Sequence, residues 1–153
     1  MTVRGRVYRH KYFKFHNGES GKKRIILLNT PKADEPYLFV KTTSQDFKKP
    51  FTPGCNKRRA LFFIKANTTI FELDTWVQLY ELYPMDSFEE KPPLVKLIGD
   101  LPENLIHKII KCLIECQPDD LSQYFEELLS KEVMETKIEK SIEQLKSKWN
   151  KHL

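Results

Sequence analysis

Up to about residue 98, apolar positions fall in short runs separated by turn residues. Val7–Phe15 alternates and is rich in aromatics, with Val7, Tyr8, Tyr12, Phe13 and Phe15. Ile25–Leu28 is an uninterrupted apolar run, the pattern of a strand buried on both faces. Tyr37–Val40, Leu61–Ile64 and Trp76–Tyr83 follow, and the loop Glu89–Pro93 leads into a short strand, Leu94–Ile98. The separators carry turn chemistry: Asn17-Gly18, Pro31, Asp34 to Pro36, Pro50 and Pro53-Gly54. Asn17-Gly18 is the strongest of these, since both residues tolerate positive φ. Strands of this length and spacing predict a small, strongly bent sheet or barrel.

After residue 100 the period becomes helical. Asp100 is the expected N-cap of a helix beginning near Pro102, with Glu103 in its first turn, where the helix dipole favours a negative charge. Leu105, Ile109, Leu113 and Cys116 form one apolar stripe, flanked by Ile106, Ile110 and Cys112. Pro118 ends this helix. Asp119 or Asp120 caps a second, with Leu121, Phe125 and Leu128 inward, and a third runs from about Val133 to Trp149. Ile138, Ile142, Leu145 and Trp149 step by four, three and four, the spacing of a narrow coiled-coil-like seam. The expected architecture is α+β: a small, strongly bent antiparallel sheet or barrel with its closing helix over residues 1–117, then a helical extension over 118–153.

Charge sharpens this division. The net charge is +5, but residues 1–70 carry 16 Lys and Arg against 4 Asp and Glu, a balance of +12. The remainder carries 10 against 17, a balance of −7. Such asymmetry points to a basic surface that meets a polyanion. No apolar stretch approaches the roughly 18 residues of a membrane span. The N-terminus has no apolar core of a secretory signal. Cys55, Cys112 and Cys116 make an odd count without a C-x-x-C, which argues against a disulfide scaffold and a zinc finger and makes a reducing cytoplasm the default compartment.

Candidate chemistry is correspondingly narrow. His10, His16, His107 and His152 have no ligand spacing, so neither a metal nor another cofactor is expected. The basic half holds only Glu19, Asp34, Glu35 and Asp46, too few carboxylates for a two-metal nuclease. The glycine-rich phosphate loops and the G-x-S-x-G nucleophile motif are absent. Two constellations remain. Gly18-Glu19-Ser20-Gly21-Lys22-Lys23-Arg24 is a glycine-bracketed basic turn feeding a buried strand, and Lys41-Thr42-Thr43-Ser44-Gln45 leaves the strand Tyr37–Val40 with three consecutive hydroxyls. Cations on a rigid strand and hydroxyls at a strand exit are suited to holding a phosphate. Read alone, the first segment is better explained as a solvated hairpin turn and the second as a strand end with its loop. The strands they adjoin are consecutive and should pair antiparallel, which brings the two segments to one end of the sheet.

The order Gly5-Arg6-Val7-Tyr8, Gly18–Arg24, Ile25–Leu28, Thr42–Gln45 and Ile98-Gly99-Asp100-Leu101-Pro102, followed by an amphipathic helix, resembles the MazF/PemK-like toxins of bacterial toxin–antitoxin systems over roughly residues 3–116. The resemblance implies an SH3-like barrel and a metal-independent, cytoplasmic endoribonuclease that cuts single-stranded RNA. It also implies a homodimer restrained by an antitoxin protein that fills the RNA groove. The family's active-site arginine slot falls on Lys23, with Arg24 where the family usually has proline, and its threonine slot falls on Thr42, beside Thr43 and Ser44. Residues 118–153 have no counterpart in the short members of the family.

On this reading the RNA 2′-hydroxyl is the nucleophile. Lys23 or Arg24 stabilises the charge on the phosphate, Thr42 or Ser44 donates a hydrogen bond, and His16 is a candidate acid or base. Lys22, Lys41, Thr43, Gln45, Lys48, Lys49, Lys57, Arg58 and Arg59 are candidate RNA contacts, with Tyr12, Phe15 or Phe51 for base stacking. The alternative is a non-catalytic nucleic-acid- or protein-binding module on the same barrel. Lysine in place of arginine favours that alternative, and the Thr-Thr-Ser run favours the enzyme.

Overall fold

The computed structural model describes residues 4–45, 51–117 and 119–151. Lys48, Lys49, Pro50, Pro118 and His152 lie outside the described residues. Seven strands form one antiparallel sheet: β1 (Arg6–Lys14), β2 (Ser20–Leu27), β3 (Tyr37–Thr43), β4 (Gly54–Asn56), β5 (Leu61–Ile64), β6 (Thr75–Met85) and β7 (Val95–Asp100). Their spatial order is β4-β5-β6-β3-β2-β1-β7. The edge strands β4 and β7 are not paired with each other, so the described sheet does not close into a barrel. Two helices follow, α1 (Glu103–Cys116) and α2 (Gln123–Lys151).

The sheet is covered on both faces, as the Ile25–Leu28 run predicts. Ile26 and Leu28 join Val7, Leu38, Val40, Val77 and Leu79 in a core closed by Ile106, Ile109, Ile110 and Leu113 of α1. Ile25 and Leu27 join Tyr8, Phe13, Phe39, Tyr83 and Val95 in a second cluster. The period of two thus sends alternate residues of one strand into different cores. Ile109, Ile110 and Leu113 are wholly buried. Cutting any one back to alanine costs about 2–5 kcal/mol in lost transfer energy and residual cavity.

Two glycines are required by backbone geometry. Gly18 (φ +88°) closes the β1–β2 turn, where its N–H donates to the Phe15 carbonyl at 3.0 Å and Asn17 Oδ1 accepts from the Glu19 N–H at 3.0 Å. Gly5 (φ +91°) donates to the Leu27 carbonyl and accepts from the Leu101 N–H, and a Cβ there would lie 3.0 Å from the Leu101 oxygen. That close approach ties the start of β1 to both β2 and the step into α1.

The helical region differs from expectation in three ways. Asp100 ends β7, and Pro102 is the N-cap of α1, so the helix starts later by the backbone restriction of proline rather than by a side-chain cap. Ser122 Oγ, not Asp119 or Asp120, accepts from the Phe125 N–H at 3.2 Å and caps α2. The expected second and third helices are one continuous helix. Leu128 and Leu129 belong to the main core, whereas Met134, Ile138, Ile142, Leu145 and Trp149 are exposed. Beside Leu128 and Leu129, a clasp centred on the buried pair Arg4–Glu132 holds α2 to the sheet. Arg4 Nη1 lies 3.0 Å from Glu132 Oε2 and its Nη2 2.9 Å from Glu139 Oε2, while Glu132 Oε1 accepts from the Thr30 N–H at 2.9 Å.

The cysteines depart from expectation as well. Cys55 of β4 and Cys112 of α1 form a disulfide across 57 residues of sequence. An odd cysteine count and local spacing carry no information about a contact that exists only because α1 packs against the β4 edge. No described helix is long and apolar enough to cross a membrane.

Candidate functional site

The β2–β3 pairing sets Ile25 opposite Lys41 and Leu27 opposite Phe39. An antiparallel register of this kind puts the beginning of β2 beside the end of β3. Lys23 and Thr42 therefore meet: Lys23 Nζ donates to the Thr42 carbonyl at 3.3 Å, and the Thr42 hydroxyl donates to the Arg24 carbonyl at 2.9 Å. The two constellations read from the sequence form one wall of a cavity of about 510 Å³. Lys22, Lys23, Arg24, Thr42, Thr43, Ser44 and Gln45 all line it.

β1 and β6 complete the cavity with residues that the sequence reading did not select. Arg9 pairs directly with Arg24 across β1–β2. The Arg9 Nε is buried and has no hydrogen-bond partner. Thr75 and Gln78 enter from β6, and Glu72 and Leu73 from the loop before it. The Gln78 side chain donates to the Tyr80 hydroxyl at 2.7 Å while its Oε1 is buried without a partner. The signal for Arg9 was a charged residue within the alternation of β1, two positions after the core residue Val7. Alternation sends Arg9 and Arg6 to opposite faces, but only the register shows which face meets the end of β3.

Four cations therefore face one carboxylate, Glu72, around a polar cavity. An anion with several acceptor oxygens fits this arrangement: guanidinium groups give directed forks, lysines give point charges, and hydroxyls and amides fill the remaining directions. Burial holds the Lys23 ammonium below the ordinary lysine range, and the nearby Lys41 charge adds to the effect. A lysine in that state is a better proton donor than any arginine. The Thr42 hydroxyl hydrogen is committed to the Arg24 carbonyl, which makes Thr42 a strut between β2 and β3. Thr43 and Ser44 are more exposed than Thr42.

Other expected site residues lie elsewhere. His16 stacks on Tyr83 with ring centroids 4.1 Å apart, its Nε2 3.1 Å from the Leu82 carbonyl, and does not line the cavity. It sits at the β1–β2 turn, beyond the last strand pair Lys14–Ser20 and after the β1 register shift between His10 and Phe13. Lys41 also stands apart. Its Nζ is 3.2 Å from Glu81 and sits near the rings of Phe15, Tyr80 and Tyr83. Burial works against the Glu81 carboxylate, but the Tyr83 hydroxyl and Lys41 hold it below the ordinary range. Lys57, Arg58 and Arg59 form a 3-10 turn before β5, outside the cavity. Lys57 Nζ pairs with Glu115 at 2.9 Å, and the Arg59 guanidinium lies 5.5 Å from the Phe51 ring centre. Phe51 packs on Phe63 and Trp76, and Phe15 packs on Phe13, so of the three stacking candidates only Tyr12 is largely exposed.

Compared with known proteins, the chain matches no family model. None of the curated proteins is significantly similar to it.

Proposed function

We propose that the cavity binds the phosphodiester backbone of single-stranded RNA and that the protein is a metal-independent endoribonuclease of the MazF/PemK-like toxin type, on a sheet related to the SH3-like barrel. The observation that carries this reading is the convergence of Arg9, Lys23 and Arg24 from β1 and β2 with the hydroxyls at the end of β3 in one cavity. The +12 balance of residues 1–70 supports it, since an excess of that size attracts a polyanion over distances beyond contact.

In the proposed reaction the 2′-oxygen attacks phosphorus and the bond from phosphorus to the 5′-oxygen breaks. A cyclic phosphate remains on one product and a 5′-hydroxyl on the other. Arg9 and Arg24 neutralise the non-bridging oxygens, where charge grows in the transition state. Glu72 takes the proton of the 2′-hydroxyl, and the Lys23 ammonium gives one to the leaving 5′-oxygen. Thr43 and Ser44 orient the phosphate. The cytoplasm is the proposed compartment, a homodimer the proposed assembly, and an antitoxin that covers the cavity the proposed restraint.

The test is cleavage of a long unstructured RNA by protein treated with EDTA. Cleavage leaving cyclic phosphate ends, reduced about 100- to 1,000-fold in Lys23→Ala and Arg24→Ala, supports the enzyme. A second reading is a nucleic-acid-binding module without catalysis. It is favoured by the commitment of the Thr42 hydroxyl to the Arg24 carbonyl, which removes one donor from the site. RNA binding without cleavage would replace the first reading with this one.

A further inference from the structure

The cysteines converge at a second place, where α1 packs against β4, and none of them lines the cavity. Cys112 and Cys116 lie one turn apart on α1, with their sulfurs 3.9 Å apart. Cys55 reaches them from β4, and the three sulfur atoms all lie within 4.8 Å of one another. Two thiolates on the same tetrahedral zinc, each about 2.3 Å from the metal, stand about 3.8 Å apart. The Cys112–Cys116 pair already has that separation.

The third sulfur is held by an element that can yield. β4 has only three residues and is an edge strand, hydrogen-bonded within the sheet to β5 alone and otherwise packed on α1. Cys55 is exposed, Cys116 half-buried and Cys112 buried, so the cluster has an open side. The turn Lys57-Arg58-Arg59 follows Cys55 after one residue, and the Lys57 carbonyl lies 3.9 Å from the Cys116 sulfur. Three thiolates carry one more negative charge than a divalent ion cancels. The Lys57 ammonium of that turn is shared with Glu115 at 2.9 Å.

We propose that Cys55, Cys112 and Cys116, once the Cys55–Cys112 bond is reduced, form a three-thiolate zinc site with one coordination position open. A dithiol reductant supplies the two electrons and two protons that convert the bond to two thiols and is itself oxidised to a disulfide. Zinc then displaces the thiol protons as it binds. The oxidised chain has one free thiol, Cys116, and lacks the site. Metal binding and the disulfide are thus alternative states that both tether β4 to α1.

The experiment uses the full chain reduced with a phosphine, which is not a thiol and binds the metal far more weakly than a dithiol, and then freed of excess reductant. Cobalt(II) is added as a spectroscopic probe and displaced with zinc. The expected result is one equivalent bound with a thiolate-to-cobalt charge-transfer band, lost on adding zinc, and absent from the oxidised chain. Cys55→Ser and Cys116→Ser should each weaken binding by about a hundredfold or more, as loss of a direct ligand costs at least what loss of a supporting group does. Stoichiometric zinc should also protect all three thiols of the unsubstituted chain from alkylation, a readout that does not depend on any variant folding. Absence of the band, equal alkylation with and without zinc, or a Cys116→Ser chain that binds like the original would each overturn the proposal.

Discussion

The Thr42 hydroxyl donates to the Arg24 carbonyl at 2.9 Å, while Lys23, the residue before Arg24, donates to the Thr42 carbonyl at 3.3 Å. These two bonds lock the start of β2 to the end of β3 at the wall of the cavity. They also assign Thr42 a positioning role, since its side chain is buried and its proton is already used.

Thr42→Val keeps the shape and removes that bond. It should lower stability by about 1–2 kcal/mol, the usual cost of leaving a buried acceptor unpaired, with Thr42→Ser close to the unsubstituted chain. Urea unfolding of the three proteins measures this. Unchanged stability in Thr42→Val, together with lost RNA cleavage, would instead place the hydroxyl on the substrate.

RNA binding should weaken steeply with salt. Its log–log slope should be about −0.7 for each phosphate neutralised on a single strand, and removing Arg9 or Arg24 should make it shallower by about one such increment. Lys57→Ala should change it less, because Lys57 is paired with Glu115 outside the cavity. Fluorescence anisotropy over a salt series reads all three variants. A flat response in the unsubstituted protein would remove RNA as the ligand.

Lys23 predicts a pH dependence. Its folded pKa is lowered by burial and by Lys41, so the proton leaves at a lower pH than from an ordinary lysine. Cleavage should therefore decline on the alkaline side before the ordinary lysine range is reached. Lys23→Arg should abolish that decline while lowering the rate, since arginine keeps its proton. For stability the sign is opposite. Between the lowered folded pKa and the ordinary value the unfolded chain binds more protons, so this residue's contribution rises with pH across that window. A pH–rate profile identical in Lys23→Arg and the unsubstituted enzyme would exclude Lys23 as the proton donor.

The clasp on α2 gives a prediction about the tail. Arg4→Ala leaves Glu132 buried without its cation, and burial already raises the Glu132 carboxyl above its ordinary range. The expected cost is about 3–5 kcal/mol. Truncation before Lys131 should be similarly damaging, because it removes Glu132, Glu135 and Glu139 together. Truncation after Lys140 keeps all three, and every described residue it removes is exposed, Ile142, Leu145 and Trp149 included, so stability should change by less than about 0.5 kcal/mol. Thermal unfolding of the two truncated chains distinguishes these outcomes. Equal stability of both would mean that the clasp contributes nothing.

The sequence by itself determined what depends on neighbours along the chain. Apolar runs located β1, β2, β3, β5, β6 and β7, because side-chain period and turn chemistry are local. The helix over Glu103–Cys116 was legible for the same reason. Even the meeting of Lys23 with Thr42 was legible, since β2 and β3 are consecutive and a short connection forces them antiparallel. The short strand β4 was not, having too few residues to show a period.

Only the tertiary structure decided what depends on register and on packing between distant segments. Arg9 became a site residue because β1 pairs with β2 so that Arg9 faces Arg24, and a slip of one residue would have sent it to the other face. His16 left the site because the turn that follows it stacks it on Tyr83. Glu72, Thr75 and Gln78 joined it because β6 pairs with β3, although more than 30 residues of chain separate those strands. Cys55 met Cys112 because α1 covers the β4 edge. The helices expected over 119–151 fused because Ser122 supplies the cap and nothing breaks the backbone between Leu129 and Val133. In each case the deciding energy is a long-range contact, and a pattern read within a dozen residues carries no record of it.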